Sequence, residues 1–260
     1  MMGDFRVCPP GSIHRPAPAQ AKPLVERVGI TRLTFSATRD WLSLRPADND
    51  ALGNDRAGNC CECADLRHAE IVQSAMGSAW KPTADMALAR YARVAGYDPT
   101  TGQPDNGTDA TTDMTDWCNK GIAINEQFLD IPAWCPVNPG LADHIAFAID
   151  RTGPVLATLA LPTTWRNLST WASAPGTGAS WAPNSAGEHR VLIGAYKAAG
   201  GPYVVRTWGL DVLASGAWLA AYLLAVDAVP SLAWFNARPE LEIVGMPWQE
   251  MAADMAALIG

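Results

Sequence analysis

Apolar positions recur at helical spacing through the first half of the chain and in short β-branched runs through the second. From Cys60 onward, Ala64, Ile71, Val72, Ala75 and Met76 share one broad stripe, and Gly77 is a natural stop, which predicts a helix opening at Cys60. Thr83-Ala84-Asp85 can cap a second helix reaching about Val94, with Met86, Leu88, Ala89 and Tyr91 facing a core. Asp109 to Gly121 and Leu141 to Thr152 read as further helices. Beyond them the pattern turns to Val, Leu, Ile and Tyr runs broken by Gly and Pro: strands over 154–161, 190–196 and 203–208. Val28 to Phe35 predicts an early strand, Ala217 to Val226 a late helix, Leu232 to Phe235 a short strand, and Trp248 to Leu258 a terminal helix. Helices first and strands second describe an α+β domain, not an alternating parallel one.

Punctuation divides the chain. Pro9, Pro10, Pro16, Pro18 and Pro23 predict an extended arm that must lie on something to be ordered. The division expected is an arm and lead-in strand over residues 1–50, the main domain over 51–236, and a helical extension over 237–260. The most apolar run, Leu213 to Val226, is flanked by Asp211 and Asp227 and falls short of the roughly 20 residues a membrane span needs, so it reads as a core helix.

Composition adds exclusions. At 260 residues, with 48% hydrophobic and 17% charged positions, the middle of the chain is globular. A net charge of −7 without clustered Lys and Arg argues against direct nucleic-acid binding. Six cysteines, three of them within Cys60–Cys63, do not make a disulfide framework, and the start of the chain has no basic and apolar leader. Reduced thiols in a cytoplasm are the expected state.

The candidate chemistry gathers at Gly53-Asn54-Asp55-Arg56-Ala57-Gly58-Asn59-Cys60. A thiolate in the first turn of a helix is stabilised by the positive end of the macrodipole, and an imidazole nearby lowers its pKa further. Cys60 is therefore the candidate nucleophile. His189, at the mouth of the strand Arg190 to Tyr196, is the candidate general base, and Asn54, six residues before Cys60, can donate to an oxyanion. His14 falls in the arm, His68 two helical turns past Cys60, and His144 in a surface helix. Cys60 and Cys63 also form a Cys-x-x-Cys pair, which leaves a metal or redox role to be weighed, with Cys118 and Cys135 as the plausible further thiol ligands. The loop Asp98 to Asp109 is rich in oxygen ligands but does not match a twelve-residue calcium loop, and an ordinary turn is the simpler reading. No metal or cofactor is expected. Trp165, Trp171 and Trp181, just before His189, could wall a cleft or form an interaction surface.

Asn54 before Cys60, His189 opening a strand that ends Gly-Ala-Tyr, and Trp208-Gly209 closing the next strand together resemble the papain-like cysteine peptidase superfamily, as islands over about residues 50–215. The resemblance implies a papain-like fold with Cys60 as nucleophile, His189 as base and Asn54 at the position of the oxyanion-hole glutamine. Gly53 to Cys60, Gly96 to Pro99, Asp105 to Thr108 and Thr207 to Gly209 are similar, further, to segments of phage and prophage proteins of that fold. That similarity implies a viral or prophage origin, synthesis in a bacterial cytoplasm, a place in the virion, and partners among other virion proteins met through the arm and the C-terminal helix. The chain departs from the superfamily where an asparagine two residues before the tryptophan orients the imidazole. Arg206 stands there, has no acceptor, and would disfavour an imidazolium. The expectation is therefore a virion structural or accessory protein on a degenerate cysteine-peptidase fold, with an active cysteine hydrolase as the alternative.

Overall fold

The computed structural model describes residues 12–13, 22–29, 32–125, 127–241 and 243. Its elements run β1 (Ser12–Ile13), α1 (Leu24–Arg27), β2 (Arg39–Asp40), α2 (Cys60–Ala75), α3 (Ala84–Ala95), β3 (Thr108–Asp109), α4 (Ala110–Lys120), β4 (Ile122–Ile124), β5 (Gln127–Leu129), β6 (Cys135–Val137) and α5 (Ala142–Thr152). The second half contains β7 (Val155–Leu161), β8 (Gly187–Tyr196), β9 (Tyr203–Thr207), β10 (Leu210–Ala214), α6 (Gly216–Tyr222), β11 (Leu223–Ala228) and α7 (Leu232–Ala237).

The main sheet has the order β10-β9-β8-β7-β11-β6, antiparallel throughout. β7 is buried along its whole length, and β8 from His189 to Tyr196, because helices and loops cover both faces. This explains their unbroken apolar runs, which differ from the alternation of a half-exposed strand. The sheet packs on α2, which is buried on every side from Cys60 to Val72. A stripe predicts only half of that burial. The rest is polar, and part of it is held by ion pairs: Arg67 bonds Glu70 and Asp48, each at 2.8 Å, while Arg90 of α3 reaches Asp65 at 2.9 Å and Asp113 at 2.7 Å. Buried charges are tolerated when paired in this way.

Caps set the helix starts as the sequence indicates. Thr83 accepts from Met86 N–H and Asp109 from Thr112 N–H, and α3 ends at the left-handed Gly96. Three expectations are corrected. Residues 28–35 do not form a strand over their described part: Val28 and Gly29 close the turn after α1, and Thr34 gives its carbonyl to the Arg151 guanidinium instead of a ladder. Leu232 to Phe235 belongs to α7, because Ser231 caps Trp234 N–H at 3.1 Å. The run Leu213 to Val226 is not one helix: it is the end of β10, a Ser215 cap, the short α6 and the start of β11. A continuous apolar run suits a buried strand and a buried helix equally, so its pattern could not separate them. The proline-rich arm, apart from residues 12–13 and 22–23, and the terminal helix over 248–258 lie outside the described residues.

Candidate active site

The loop before α2 is a set of tight turns. Asn54 N–H bonds Ala51 O, and Ala57 N–H bonds Gly53 O, each at 3.0 Å. Gly53 at φ 83° supplies the left-handed step this turn needs. Asn59 fastens the loop by donating from Nδ2 to Leu52 O at 3.0 Å. Asp105 fastens it from outside, accepting from Gly58 N–H at 2.8 Å and from the Tyr91 hydroxyl at 2.7 Å. Among the described residues no three His, Cys, Asp or Glu side chains are grouped to hold a metal ion. The Asp98–Asp109 loop thus serves as a brace, and Cys60 is delivered to the first position of α2.

Cys60 and His189 meet there. Burial acts to raise the Cys60 pKa, but the neighbouring Cys61 and His189 side chains and the Arg190 N–H outweigh it and hold the thiol well below its ordinary value. The Arg190 N–H lies 3.4 Å from Sγ. His189 is fully buried, with Nε2 2.6 Å from Thr207 Oγ1. Since Nε2 is committed to Thr207, Nδ1 is the nitrogen available to the thiol.

Aromatic rings fix the imidazole plane. Trp208 stacks on His189 with centroids 4.0 Å apart and planes 7° apart, and Trp165 stacks on the far side of Trp208 at 4.3 Å. Trp171 meets the edge of Trp208 and stacks on Trp218. Trp165 and Trp171 are therefore buried backing for the site, and only Trp181 of that loop is half-exposed.

Arg206 does not approach the imidazole as its neighbour Thr207 does. In the β8–β9 register Leu192 stands opposite Arg206, so alternation puts Thr207 on the face of His189 and Arg206 on the other. Arg206 donates to Gly209 O at 2.8 Å and Asp48 O at 2.7 Å and pairs with Asp211 at 3.3 Å. Burial first, then Arg45 and Arg67, bring its pKa down to about 10. A Cβ on Gly209 would collide with Asn49 O, which ties the Trp208-Gly209 turn to the loop before the nucleophile. The acceptor missing at position 206 is thus supplied one residue later. The sequence places Thr207 in the Thr207-Trp208-Gly209 segment but gives it no orienting role, because its face is known only once the register is known.

Asn54 is buried and lines the same cavity as Cys60, with one Nδ2 donor bonded to Ala57 O at 3.1 Å. An amide has a second N–H donor. The cavity measures about 20 Å³ and is also lined by Cys63, Arg67, Arg190 and Thr207. Outside this lining, β1 pairs in parallel with β3, Ser12 opposite Thr108 and Ile13 opposite Asp109, while Ser12 also stands opposite Glu188. A backbone segment therefore joins β3 to the start of β8, one residue from His189. Of the other histidines, His68 is fully buried edge-on to Trp117, and burial drives its pKa down to about 3, so it is a neutral core residue. His144 lies on α5, and His14 lies outside the described residues.

No family model and no curated protein matches the sequence. Solved structures do match. Xylellain, a cysteine protease from Xylella fastidiosa, superposes with a TM-score of 0.63 at 14% identity, over 87% of this chain and 97% of that one. Digestive procathepsin L 3 of Tenebrio molitor larval midgut gives 0.56 at 12% identity over 87% of this chain and 77% of that one. Procathepsin B S9 from Trypanosoma congolense gives 0.55 at 11% over 87% and 88%. The chain has the α+β papain-like fold, N-terminal helices packed on a C-terminal antiparallel sheet.

Proposed function

We propose that the chain is a papain-fold cysteine hydrolase acting on amide or peptide bonds. The observation that carries this reading is the 2.6 Å contact of His189 Nε2 with Thr207 Oγ1, in an imidazole whose other edge serves Cys60. The hydroxyl oxygen accepts the Nε2 proton, which leaves Nδ1 to take the thiol proton. Cys60 Sγ then attacks the carbonyl carbon, and His189 returns the proton to the leaving amine. Water, activated by the same imidazole, releases the acyl group. The Cys60 N–H, one of the first-turn donors that a helix leaves without an intrahelical acceptor, and the second Nδ2 donor of Asn54 face the developing oxyanion. Arg206, the residue that spoke against catalysis, lines the cavity, but its terminal nitrogens are spent on Gly209 O and Asp48 O.

Cys60 is only 1% exposed, so in this reading a substrate reaches it after a neighbouring segment moves, and β1, paired with Glu188 next to His189, is the segment assigned to that movement. Labelling with a peptidyl thiol electrophile at neutral pH tests the reading, on the full chain and on one lacking residues 1–21. Modification of Cys60 that accelerates on truncation and disappears in His189→Ala is expected. Equal, slow labelling of Cys60 and the other thiols in both forms would refute it.

That occluded cleft is also the observation favouring a second reading, in which the fold is a scaffold in a virion and meets neighbouring virion proteins through residues 1–50 and the C-terminal segment. Particles that assemble normally with Cys60→Ala but fail without residues 1–21 would support it.

A further inference from the structure

Cys63 has no part in the hydrolytic scheme, yet it lines the same 20 Å³ cavity as Cys60. It is the fourth residue of α2 and Cys60 is the first, so the two thiols share one helical face. Cys63 Sγ is held against the carbonyls of Leu52 at 3.4 Å and Ala51 at 3.7 Å. Cys61 Sγ lies against Thr108 O at 3.4 Å and also bonds the Cys60 sulfur. The cavity holds about one water-sized molecule, for which roughly 10–15 Å³ suffices. Arg67, Arg190 and Arg206 line it, and Nε of Arg190 and of Arg206 are buried donors without a partner. A small, polar, oxygen-bearing molecule fits this chamber, and a peptide does not.

We propose that Cys60 and Cys63 form a peroxide-reactive dithiol in which Cys63 resolves the oxidised nucleophile as an intramolecular disulfide. The Cys60 thiolate attacks one oxygen of hydrogen peroxide. An S–O bond forms, the O–O bond breaks, and the departing hydroxide takes the His189 proton and leaves as water. The Cys63 sulfur then attacks the sulfenic sulfur: an S–S bond forms, the S–O bond breaks, and hydroxide leaves with the Cys63 proton as a second water. Two thiols are oxidised by two electrons, one peroxide is reduced to two waters, and a dithiol reductant reverses the change. Cβ atoms three apart on a helix are about 5–6 Å from each other. A disulfide needs about 3.5–4.5 Å, so the first turn must tighten by roughly 1–2 Å. The first turn is the part of a helix that can do this, since its N–H groups have no intrahelical acceptors to lose. Cys61 is nearer to Cys60, but a bond between adjacent cysteines would close an eight-membered ring across one peptide unit and strain its planar trans geometry within the helix.

Burial and the neighbouring Glu62 push the Cys63 pKa well up, while Cys60 is held well down. This asymmetry gives one attacking thiolate and one resolving thiol, as in other Cys-x-x-Cys pairs at helix N-termini. The bond draws Cys60 off His189, so peroxide would silence the hydrolase reversibly and protect Cys60 from irreversible oxidation. The inference rests on the reactive Cys60 of the proposed function but not on hydrolysis itself.

The test is to treat the reduced full chain with equimolar hydrogen peroxide at pH 7, with and without dimedone, then denature, alkylate and weigh the peptide carrying residues 60–63. Wild type and Cys61→Ala are expected to lose two alkylatable thiols, regain them with dithiothreitol, and accumulate little dimedone adduct. Cys63→Ala and Cys63→Ser should form no such disulfide and trap dimedone at Cys60 several-fold more, with sulfinic acid following. Disulfide formation that persists in both Cys63 variants, or that Cys61→Ala abolishes, would overturn the assignment. Substrate turnover, measured separately, does not enter either outcome.

Discussion

His189 Nε2 and Thr207 Oγ1 are 2.6 Å apart, on adjacent antiparallel strands whose register places both side chains on one face. Thr207→Val keeps the shape of the side chain and removes its oxygen, leaving a buried N–H unpaired. That costs roughly 1–3 kcal/mol. Cys60 alkylation, and kcat/KM once a substrate is found, should fall about 10- to 100-fold, and Thr207→Ser should recover most of it. Equal rates in Thr207→Val and wild type would show that the hydroxyl does not orient the ring.

Arg206→Ala tests the opposite face of the same strand. It removes donors to Gly209 O and Asp48 O and should lower stability by roughly 1–3 kcal/mol, read as a fall in Tm. The pH profile of Cys60 alkylation should keep its shape. A shifted profile would mean that the guanidinium acts on the imidazole after all.

The depressed Cys60 pKa has a definite sign. A thiol with a lowered pKa remains thiolate as pH falls below the ordinary value near 8.5, so the alkylation rate should stay high well under pH 8. In His189→Ala the rate should instead fall steadily as pH drops through 8. Stopped-flow alkylation across pH 5–9 reads both.

Glu62 is fully buried beneath the site, and burial followed by the charge of Asp113 pushes its pKa well up. Folding then favours the protonated acid. Its contribution is intact below the unfolded value near 4.3 and is lost as pH rises through the folded value. Glu62→Gln, which can keep a contact to Thr108 Oγ1, should therefore raise Tm at pH 8 by roughly 2–4 °C, about what 1 kcal/mol is worth in a chain of this size. At pH 4 it should change little. Paired thermal melts at the two pH values check this, and an equal shift at both would count against the titration.

The order of helices and strands, the start of α2 at Cys60 and the caps at Thr83 and Asp109 were legible because each is local: a period or a capping residue. The fate of Leu213 to Val226 was not, because apolar content reports burial and not backbone shape. The tryptophans before His189 gave a third kind of limit. Composition shows that they are there, but only packing decides that Trp165 backs Trp208 and leaves the surface.

By itself, then, the sequence determined the fold class and the helix that opens at Cys60, since hydrophobic period and helix-start chemistry are written in consecutive residues. What only the tertiary structure decided is which of two neighbours, Arg206 or Thr207, serves the imidazole. Alternation assigns them to opposite faces of β9, but pairing with β8 decides which face His189 shares. The same holds for β1, placed by pairing with β3 and β8, segments far from it along the chain.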